Sequence, residues 1–177
     1  MPDDFYARIA RTANEQGIRF VLDSSGPGLA HGLAGGGVFL VKPSIGELRA
    51  LTGRDLDENE AIVEAASAIV MRGEAQHVAV TMGRDGALLV NASSTLRLSA
   101  LPVNALSTTG AGDSFLAAMV YALAARKPVL EAFQFGMAAG AAAVLNPGTG
   151  LAHVEDILRL RSAASAFRKG RAAPSPL

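Results

Sequence analysis

Residues 106–119 read LSTTGAGDSFLAAM, in which two glycines, an alanine and one carboxylate precede a run typical of a buried helix. A helix that begins at glycines exposes unpaired backbone amides, which an anion can approach with no side chain in the way. The Asp113 carboxylate would repel such an anion, so phosphate binding alone does not explain it. Phosphoryl transfer does, because the acceptor hydroxyl must lose a proton while preorganised donors meet the charge on the moving group. We therefore predict Asp113 as the base and the amides of Gly110, Ala111, Gly112 and Asp113 as an anion hole.

The same spacing also has a purely structural interpretation. Thr108 or Thr109 would cap the helix, the glycines would make a tight turn, and Asp113 would complement the helix dipole. The spacing alone favours neither interpretation.

Strand-like and helix-like segments alternate around this stretch. Continuous apolar runs at 18–23, 38–42 and 77–81 are typical of buried strands, and 87–90 and 95–98 alternate like antiparallel edge strands after a turn at 83–86. Helices are predicted from Phe5 to a stop at Gly17, with an Asp3 or Asp4 cap, and over 44–53, 57–71 with an Asp57 cap, 111–125, 130–145 and 154–167. This order predicts an α/β fold, a three-layer α/β/α sandwich with a mainly parallel sheet and antiparallel edge strands.

Composition favours a small-molecule protein. The 177 residues, half of them hydrophobic, suit one compact domain, which we place at residues 1–167 with a loose tail at 168–177. Charges balance at 16 basic and 16 acidic residues and aromatics are only 5%, so no nucleic-acid surface is indicated. The absence of cysteine excludes disulfides and thiolate metal sites. No signal layout or membrane-length apolar run is visible, and we expect a cytoplasmic protein.

Two commoner phosphate-binding motifs fit poorly. GPGLAHG at 26–32 follows a predicted strand like a dinucleotide fingerprint, but its glycines have the spacing G-x-G-x-x-x-G and three residues intervene. No Walker P-loop sequence occurs.

Four segments together resemble one enzyme family. STTGAGDSF at 107–115 resembles the second signature of the PfkB-type carbohydrate kinases, of the ribokinase superfamily, and VKPSIGEL at 41–48 resembles their K-P-N-x-x-E-L segment. VAVTMGRDGALL and AAGAAAVLNPGTG are similar to the family's nucleotide segment and adenine-side helix, in the same order. VLDSSG, LVKP and STTGAGDS are most similar to the phosphohexose branch, which comprises 6-phosphofructokinase, 1-phosphofructokinase and tagatose-6-phosphate kinase.

The resemblance implies ATP and Mg²⁺ as cofactors, a phosphorylated sugar as acceptor, with fructose 6-phosphate as the best candidate, and Asp113 as catalytic base. Lys42 would approach the nucleotide phosphates, and Glu47 would organise the magnesium shell through water. Asp23 would be a second outer-shell metal group at a strand's carboxyl end. The nucleotide groove would be lined by Thr81, Gly83 and Gly86, with Asn146 and Gly148 on the adenine side.

These residues have structural interpretations too. Lys42 would be a solvated lysine at a strand end, Asp23 would cap the next turn, and the glycines would make ordinary turns. Ser44 and Glu47 also fit the S-x-x-E capping box, which the residues alone favour.

Two positions depart from the family pattern. Ser44 replaces the usual Asn, so the magnesium or phosphate contacts expected there are weakened or rearranged. Ser107 stands where ribokinase-like members often carry an Asp that helps to hold a monovalent cation, and K⁺ dependence is left open.

The resemblance covers only the carboxyl-terminal portion of the family pattern. The missing portion would supply most sugar contacts, the lid and the first strands, so an exposed sheet edge would invite a homo-oligomer or a complementing amino-terminal half. Two alternatives to a kinase therefore stay open: a nucleotide-binding module without catalysis, and an inactive truncated remnant.

Overall fold

Five strands form one sheet in the order β1-β2-β3-β4-β5 in the computed structural model, which describes residues 2, 4–148 and 150–169. The chain divides into two compact units, Met1–Leu98 and Ser99–Leu177. The first unit holds the sheet, and its elements are α1 (Phe5–Glu15), β1 (Val21–Leu22), α2 (Gly26–Ala34), β2 (Val38–Val41), α3 (Ile45–Thr52), α4 (Asn59–Met71), β3 (Ala75–Thr81), a 3₁₀ turn (Gly83–Asp85), β4 (Ala87–Asn91) and β5 (Ser94–Leu98).

The strand pairing confirms the predicted mixture of parallel strands and antiparallel edge strands. β1 pairs with β2 and β2 with β3 in parallel, whereas β3–β4 and β4–β5 are antiparallel. The β4–β5 hairpin turns between Asn91 and Ser94, and the Asn91 side-chain oxygen accepts from both Ser93 N and Ser94 N at 2.9 Å. This Asx-type turn fixes the register of the edge strand.

The core of the first unit is aliphatic. Strand residues such as Val41, Val78 and Leu88 are fully buried and cluster with leucines and alanines from the helices. The α4 contribution is Ile62, Ala65, Ala66 and Ile69, whose spacing places them on one side of the helix.

The glycine-rich segment after β1 contains α2, a helix that the sequence analysis did not predict. Pro27 stands in its first turn. A Cβ at Gly28 would lie 3.2 Å from Tyr6 Cε2, and one at Gly32 would lie 2.8 Å from Leu22 Cδ2. These glycines, four residues apart, form a smooth face that lets α2 pack closely on its neighbours, and they do not form a dinucleotide loop.

Several helix ends differ from expectation. Asp4 stands at the N-cap of α1 without a side-chain cap bond, and Glu58, not Asp57, is the N-cap of α4. Ser25, not Asp23, is the N-cap of α2. The predicted strand at 18–23 is reduced to Val21–Leu22.

The second unit is helical and comprises α5 (Ala111–Ala124), α6 (Val129–Ala143) and α7 (Val154–Lys169). α5 and α6 pack closely through glycine, since a Cβ at Gly136 would lie 2.9 Å from Phe115 O and one at Gly140 would lie 3.1 Å from Ala111 O. Phe115 and Phe133 meet edge to face, with centroids 5.9 Å apart. The predicted tail overlaps α7 at 168–169, and 170–177 lie outside the described residues.

Within the described residues, no helix combines the length and apolar character needed to span a membrane.

Candidate active site

The predicted site residues form two groups, one in each compact unit. The strand-end group, in the first unit, comprises Asp23, Lys42, Ser44, Glu47, Thr81, Gly83 and Gly86. The glycine-turn group, in the second, comprises Gly110, Ala111, Gly112, Asp113, Asn146 and Gly148, to which the structure adds Ser107.

Lys42 directly follows β2 and is the only polar or charged residue that is buried among the described residues, at 6% exposure. Its Nζ lies 3.3 Å from Oδ1 of Asp23, the residue that directly follows β1. The parallel register Leu22↔Val41 places these two residues side by side at the carboxyl ends of their strands. The expected solvated lysine is therefore wrong, because Lys42 is buried in an ion pair at the sheet edge where α/β proteins bind ligands.

Ser44 and Glu47 form the capping box at the start of α3. Ser44 N donates to Glu47 Oε2 at 2.7 Å, and Glu47 N donates to Ser44 Oγ at 3.2 Å. Ser44 also bridges Thr81 in parallel, and Thr81 N donates to Pro43 O at 3.0 Å. The cap fixes the Glu47 carboxylate next to the ends of β2 and β3.

Gly83 and Gly86 adopt left-handed φ angles of +57° and +90° around the 3₁₀ turn. Met82 N donates to Gly86 O at 2.9 Å, which closes this turn. Turn geometry alone explains both glycines, so their nucleotide-binding role stays a prediction.

The glycine turn before α5 leaves backbone amides open. Gly110 is the N-cap with φ +77°, and no side chain caps the helix, so neither Thr108 nor Thr109 serves as the predicted cap. Ala111 N donates to Thr108 O at 3.4 Å, while the Gly112 and Asp113 amides have no acceptor among the described residues. Such amides carry the positive end of the helix dipole and are suited to an anion.

Asp113 lies in the first turn of α5 with an exposed side chain. It makes no ion pair with any other residue in the described ranges. An unpaired exposed carboxylate beside open amides can accept a proton from a bound hydroxyl.

Ser107 fastens this turn to the loop after α6. Its Oγ donates to Gly148 O at 2.8 Å and accepts from Thr109 N at 3.2 Å. Asn146 Nδ2 donates to Ala142 O at 3.3 Å and to Leu151 O at 3.1 Å, which shapes the same loop. The structure therefore brings the predicted adenine-side residues Asn146 and Gly148 together with the glycine turn.

The carboxylates suit a magnesium site that is completed by phosphate. The described residues contain no cluster of three or more His, Cys, Asp or Glu side chains that could hold a metal alone. Mg²⁺ in phosphoryl-transfer sites keeps several waters and is bound through one or two carboxylates plus substrate phosphates. Glu47, fixed by its cap, and Asp23 are of this type.

The Asp23–Lys42 ion pair is the feature of the site that the sequence analysis missed. Both residues were predicted, but not their contact. The available signal was their position, because each follows an apolar run directly and parallel neighbours end at the same sheet edge.

Comparison with known proteins identifies the family of the chain. The family model of the pfkB family carbohydrate kinases matches residues 1–156, and the chain belongs to this family. The ATP-dependent 6-phosphofructokinase isozyme 2 of Escherichia coli is 41% identical over 153 residues, which cover 86% of this chain and 50% of the relative. The 1-phosphofructokinase of Borreliella burgdorferi is 33% identical over 144 residues, covering 81% of this chain and 46% of the relative.

Solved structures agree. Phosphofructokinase-2 from Escherichia coli in complex with potassium has a TM-score of 0.89 at 39% identity, covering 93% of this chain and 53% of that one. Structures of that enzyme with fructose-6-phosphate and in a tetrameric inhibited form both have TM-scores of 0.85 at 36% identity, covering 93% of this chain and 52% and 53% of theirs. Arabidopsis thaliana ribokinase, complexed with ribose and ATP, has a TM-score of 0.79 at 27% identity, and the match covers 90% of this chain and 53% of the ribokinase chain. These matches confirm the predicted ribokinase-like α/β sandwich.

The chain spans about half the length of the curated relatives it matches.

Proposed function

We propose that this chain forms the nucleotide-binding and catalytic portion of an ATP-dependent sugar kinase. It would transfer the γ-phosphate of ATP to a hydroxyl of a phosphorylated hexose. Fructose 6-phosphate is the best-supported acceptor, because the Escherichia coli relative is a 6-phosphofructokinase and has been solved with fructose-6-phosphate. The observation that carries the proposal is the exposed Asp113 carboxylate beside the open amides of the α5 N-terminus.

In the proposed reaction, Asp113 accepts the proton of the acceptor hydroxyl while its oxygen forms a bond to the γ-phosphorus. The bond between this phosphorus and the β–γ bridging oxygen breaks, and ADP leaves with the electron pair. The 110–113 amides meet the charge on the transferring group, and Lys42 meets that on the nucleotide phosphates. Thr81, Gly83 and Gly86 line the nucleotide groove, with Asn146 and Gly148 on its adenine side.

Magnesium, held by the phosphates with Glu47 and Asp23 in its water shell, would neutralise phosphate charge. Ser44 reaches this region through its cap with Glu47. Dependence on K⁺ is open for this chain, although the Escherichia coli enzyme has been solved with potassium.

The test is ADP release with ATP and fructose 6-phosphate, fructose 1-phosphate or tagatose 6-phosphate, compared between wild type and Asp113→Asn. We expect turnover of at least one sugar and a loss of about a hundredfold or more in the variant, the range of general-base catalysis. Glu131→Gln, which alters an exposed carboxylate that pairs with Arg161, is the matched control and should retain activity. Equal rates for wild type and Asp113→Asn would remove Asp113 from the mechanism.

A second candidate is a nucleotide-binding module without catalysis. It is supported by the open amides at the start of α5, which can hold a nucleotide phosphate whether or not an acceptor is positioned for transfer. ATP binding without turnover of any of the three sugars would support it.

We also propose self-association or association with a complementing amino-terminal half, since the Escherichia coli enzyme has a tetrameric form. Light scattering of the purified chain tests self-association. A cytoplasmic location stays a prediction from the sequence.

A further inference from the structure

The strand-end group contains a buried charge that needs an explanation. Lys42 is buried to 6% exposure, and its only ion-pair partner among the described residues is Asp23. A buried ammonium without a counter-charge strongly destabilises the folded state. Asp23 therefore offsets an otherwise unfavourable burial.

The backbone holds the pair at the strand ends. Lys42 N donates to Leu22 O at 3.3 Å, so the residue after β2 is fixed against the last residue of β1. The Lys42 side chain is 7% exposed and that of Asp23 is 33% exposed. The aliphatic part of the Lys42 side chain is therefore enclosed, and the position of the Asp23 carboxylate orients its ammonium group.

The Lys42 ammonium has more hydrogen-bond donors than the Asp23 contact uses. It carries three N–H groups, and Asp23 Oδ1 is the one oxygen within ion-pair distance in the described part of the chain. The remaining donors lie at the carboxyl ends of parallel strands, where α/β proteins bind their ligands. They are available to a phosphate oxygen without loss of the bond to Asp23.

We infer that Asp23 is a positioning residue, which acts by holding the Lys42 ammonium at the strand ends for the nucleotide phosphates. This inference rests on the proposed function, because it takes ATP as the ligand. It differs from the outer-shell metal role, since a residue that acts through Lys42 matters for ATP even without magnesium.

The binding test is a double-mutant cycle of Asp23→Asn, Lys42→Met and the double variant. ATP affinity is measured by displacement of a fluorescent ATP analogue, once in EDTA and once with magnesium. We expect both single variants to weaken ATP binding by about tenfold or more under both conditions, with no further loss in the double variant. Unchanged or tighter binding by Asp23→Asn in EDTA, or a loss confined to magnesium, would overturn the inference.

Thermal unfolding of the same proteins separates positioning from stability. Asp23→Asn should lower Tm because it leaves the ammonium buried and unpaired, and adding Lys42→Met should recover much of that loss while ATP affinity stays low. Asp57→Asn is the matched control, since Asp57 pairs with Arg49 at 2.6 Å in an exposed ion pair, and it should leave ATP affinity unchanged. Independent effects of the two substitutions on Tm would overturn the inference whatever the nucleotide result.

The two proposals fail in different ways. If the wild type binds no ATP, the proposed function fails and the role of Asp23 toward phosphate fails with it. If the wild type binds ATP but the cycle shows no coupling, only the positioning role fails.

Discussion

Gly110 sets the direction of the open amides, because it turns the chain into α5 with φ +77°. A Cβ at this position would meet nothing within 4 Å, so Gly110→Ala introduces backbone strain and no clash. We expect it to lower the free energy of unfolding by about 1–2 kcal/mol, the cost of left-handed φ in a residue with a Cβ. ATP affinity should fall as well, because relief of the strain moves the amides of the first turn.

Gly17 provides the matched control for this prediction. It has φ +68°, and a Cβ added there would likewise meet nothing within 4 Å, but it follows α1. Gly17→Ala should cost similar stability in urea denaturation and leave ATP binding unchanged. Equal losses of ATP affinity in both variants would show that Gly110 acts only through stability.

At the level of the single element, the α3 cap allows the structural and metal roles of Glu47 to be separated. Glutamine can replace glutamate in a capping box, so Glu47→Gln should keep stability within a few tenths of a kcal/mol while removing the charge. Ser44→Ala removes the side chain that accepts from Glu47 N and should cost about 1 kcal/mol. Denaturant unfolding measures both effects.

The functional readout for Glu47 is the magnesium concentration needed for half-maximal ATP turnover or, without turnover, for half-maximal tightening of ATP binding. Glu47→Gln should raise it severalfold because a carboxylate leaves the expected water shell. An unchanged magnesium requirement together with unchanged stability would assign Glu47 to capping alone.

Strand β3 carries a half-buried titratable residue, His77. His77 Nδ1 is buried with no hydrogen-bond partner among the described residues, and the ring packs edge to face on Phe39 at 5.1 Å. Burial, with a smaller contribution from the Arg19 charge, lowers the pKa of His77 below its usual 6.5. As the pH falls below 6.5, the unfolded chain therefore binds more protons than the folded one. The stability linked to neutral His77 is present above pH 6.5 and is lost as the pH falls towards the lowered pKa of the folded state.

Urea denaturation between about pH 5 and pH 8 tests this. His77→Gln should flatten the loss of stability at acid pH, whereas His153→Gln, at an exposed position outside the sheet, should leave the slope as in the wild type. The same slope in all three proteins would show that other groups set the acid sensitivity.

The elements differ in how far sequence reasoning could reach them. β3, the β4–β5 hairpin and α5 were predictable because their apolar periods agree with their final environment. α2 was not predictable, since Gly28 and Gly32 have low helix propensity and are favoured there by close contact with Tyr6 and Leu22, which lie outside the helix. β1 was predicted too long because an apolar run shows burial but not where ladder pairing stops.

At the scale of the whole chain, the predicted site residues fall in two compact units, at 23–86 in one and at 107–148 in the other. Residue types and strand-end positions were predictable from local motifs, and the family resemblance supplied their roles. The Asp23–Lys42 contact was not predicted. The position of each residue directly after an apolar run suggested that both lie at the carboxyl ends of strands, but which strands are neighbours, and in which register, is not specified by any local pattern.

The proposed nucleotide-binding role makes a prediction for the whole chain, which contains the predicted nucleotide groups and spans about half of its curated relatives. ATP with magnesium should raise Tm, since ligand at a hundred times its Kd stabilises by about 2.7 kcal/mol. Fructose 6-phosphate alone should change Tm little, because the predicted site residues of this chain serve the nucleotide and the transferring phosphoryl group. Asp113→Asn should keep the stabilisation by ATP, since the base contacts the acceptor and not the nucleotide. Stabilisation by fructose 6-phosphate alone, as large as that by ATP, would show that these 177 residues bind the sugar by themselves and would contradict this prediction.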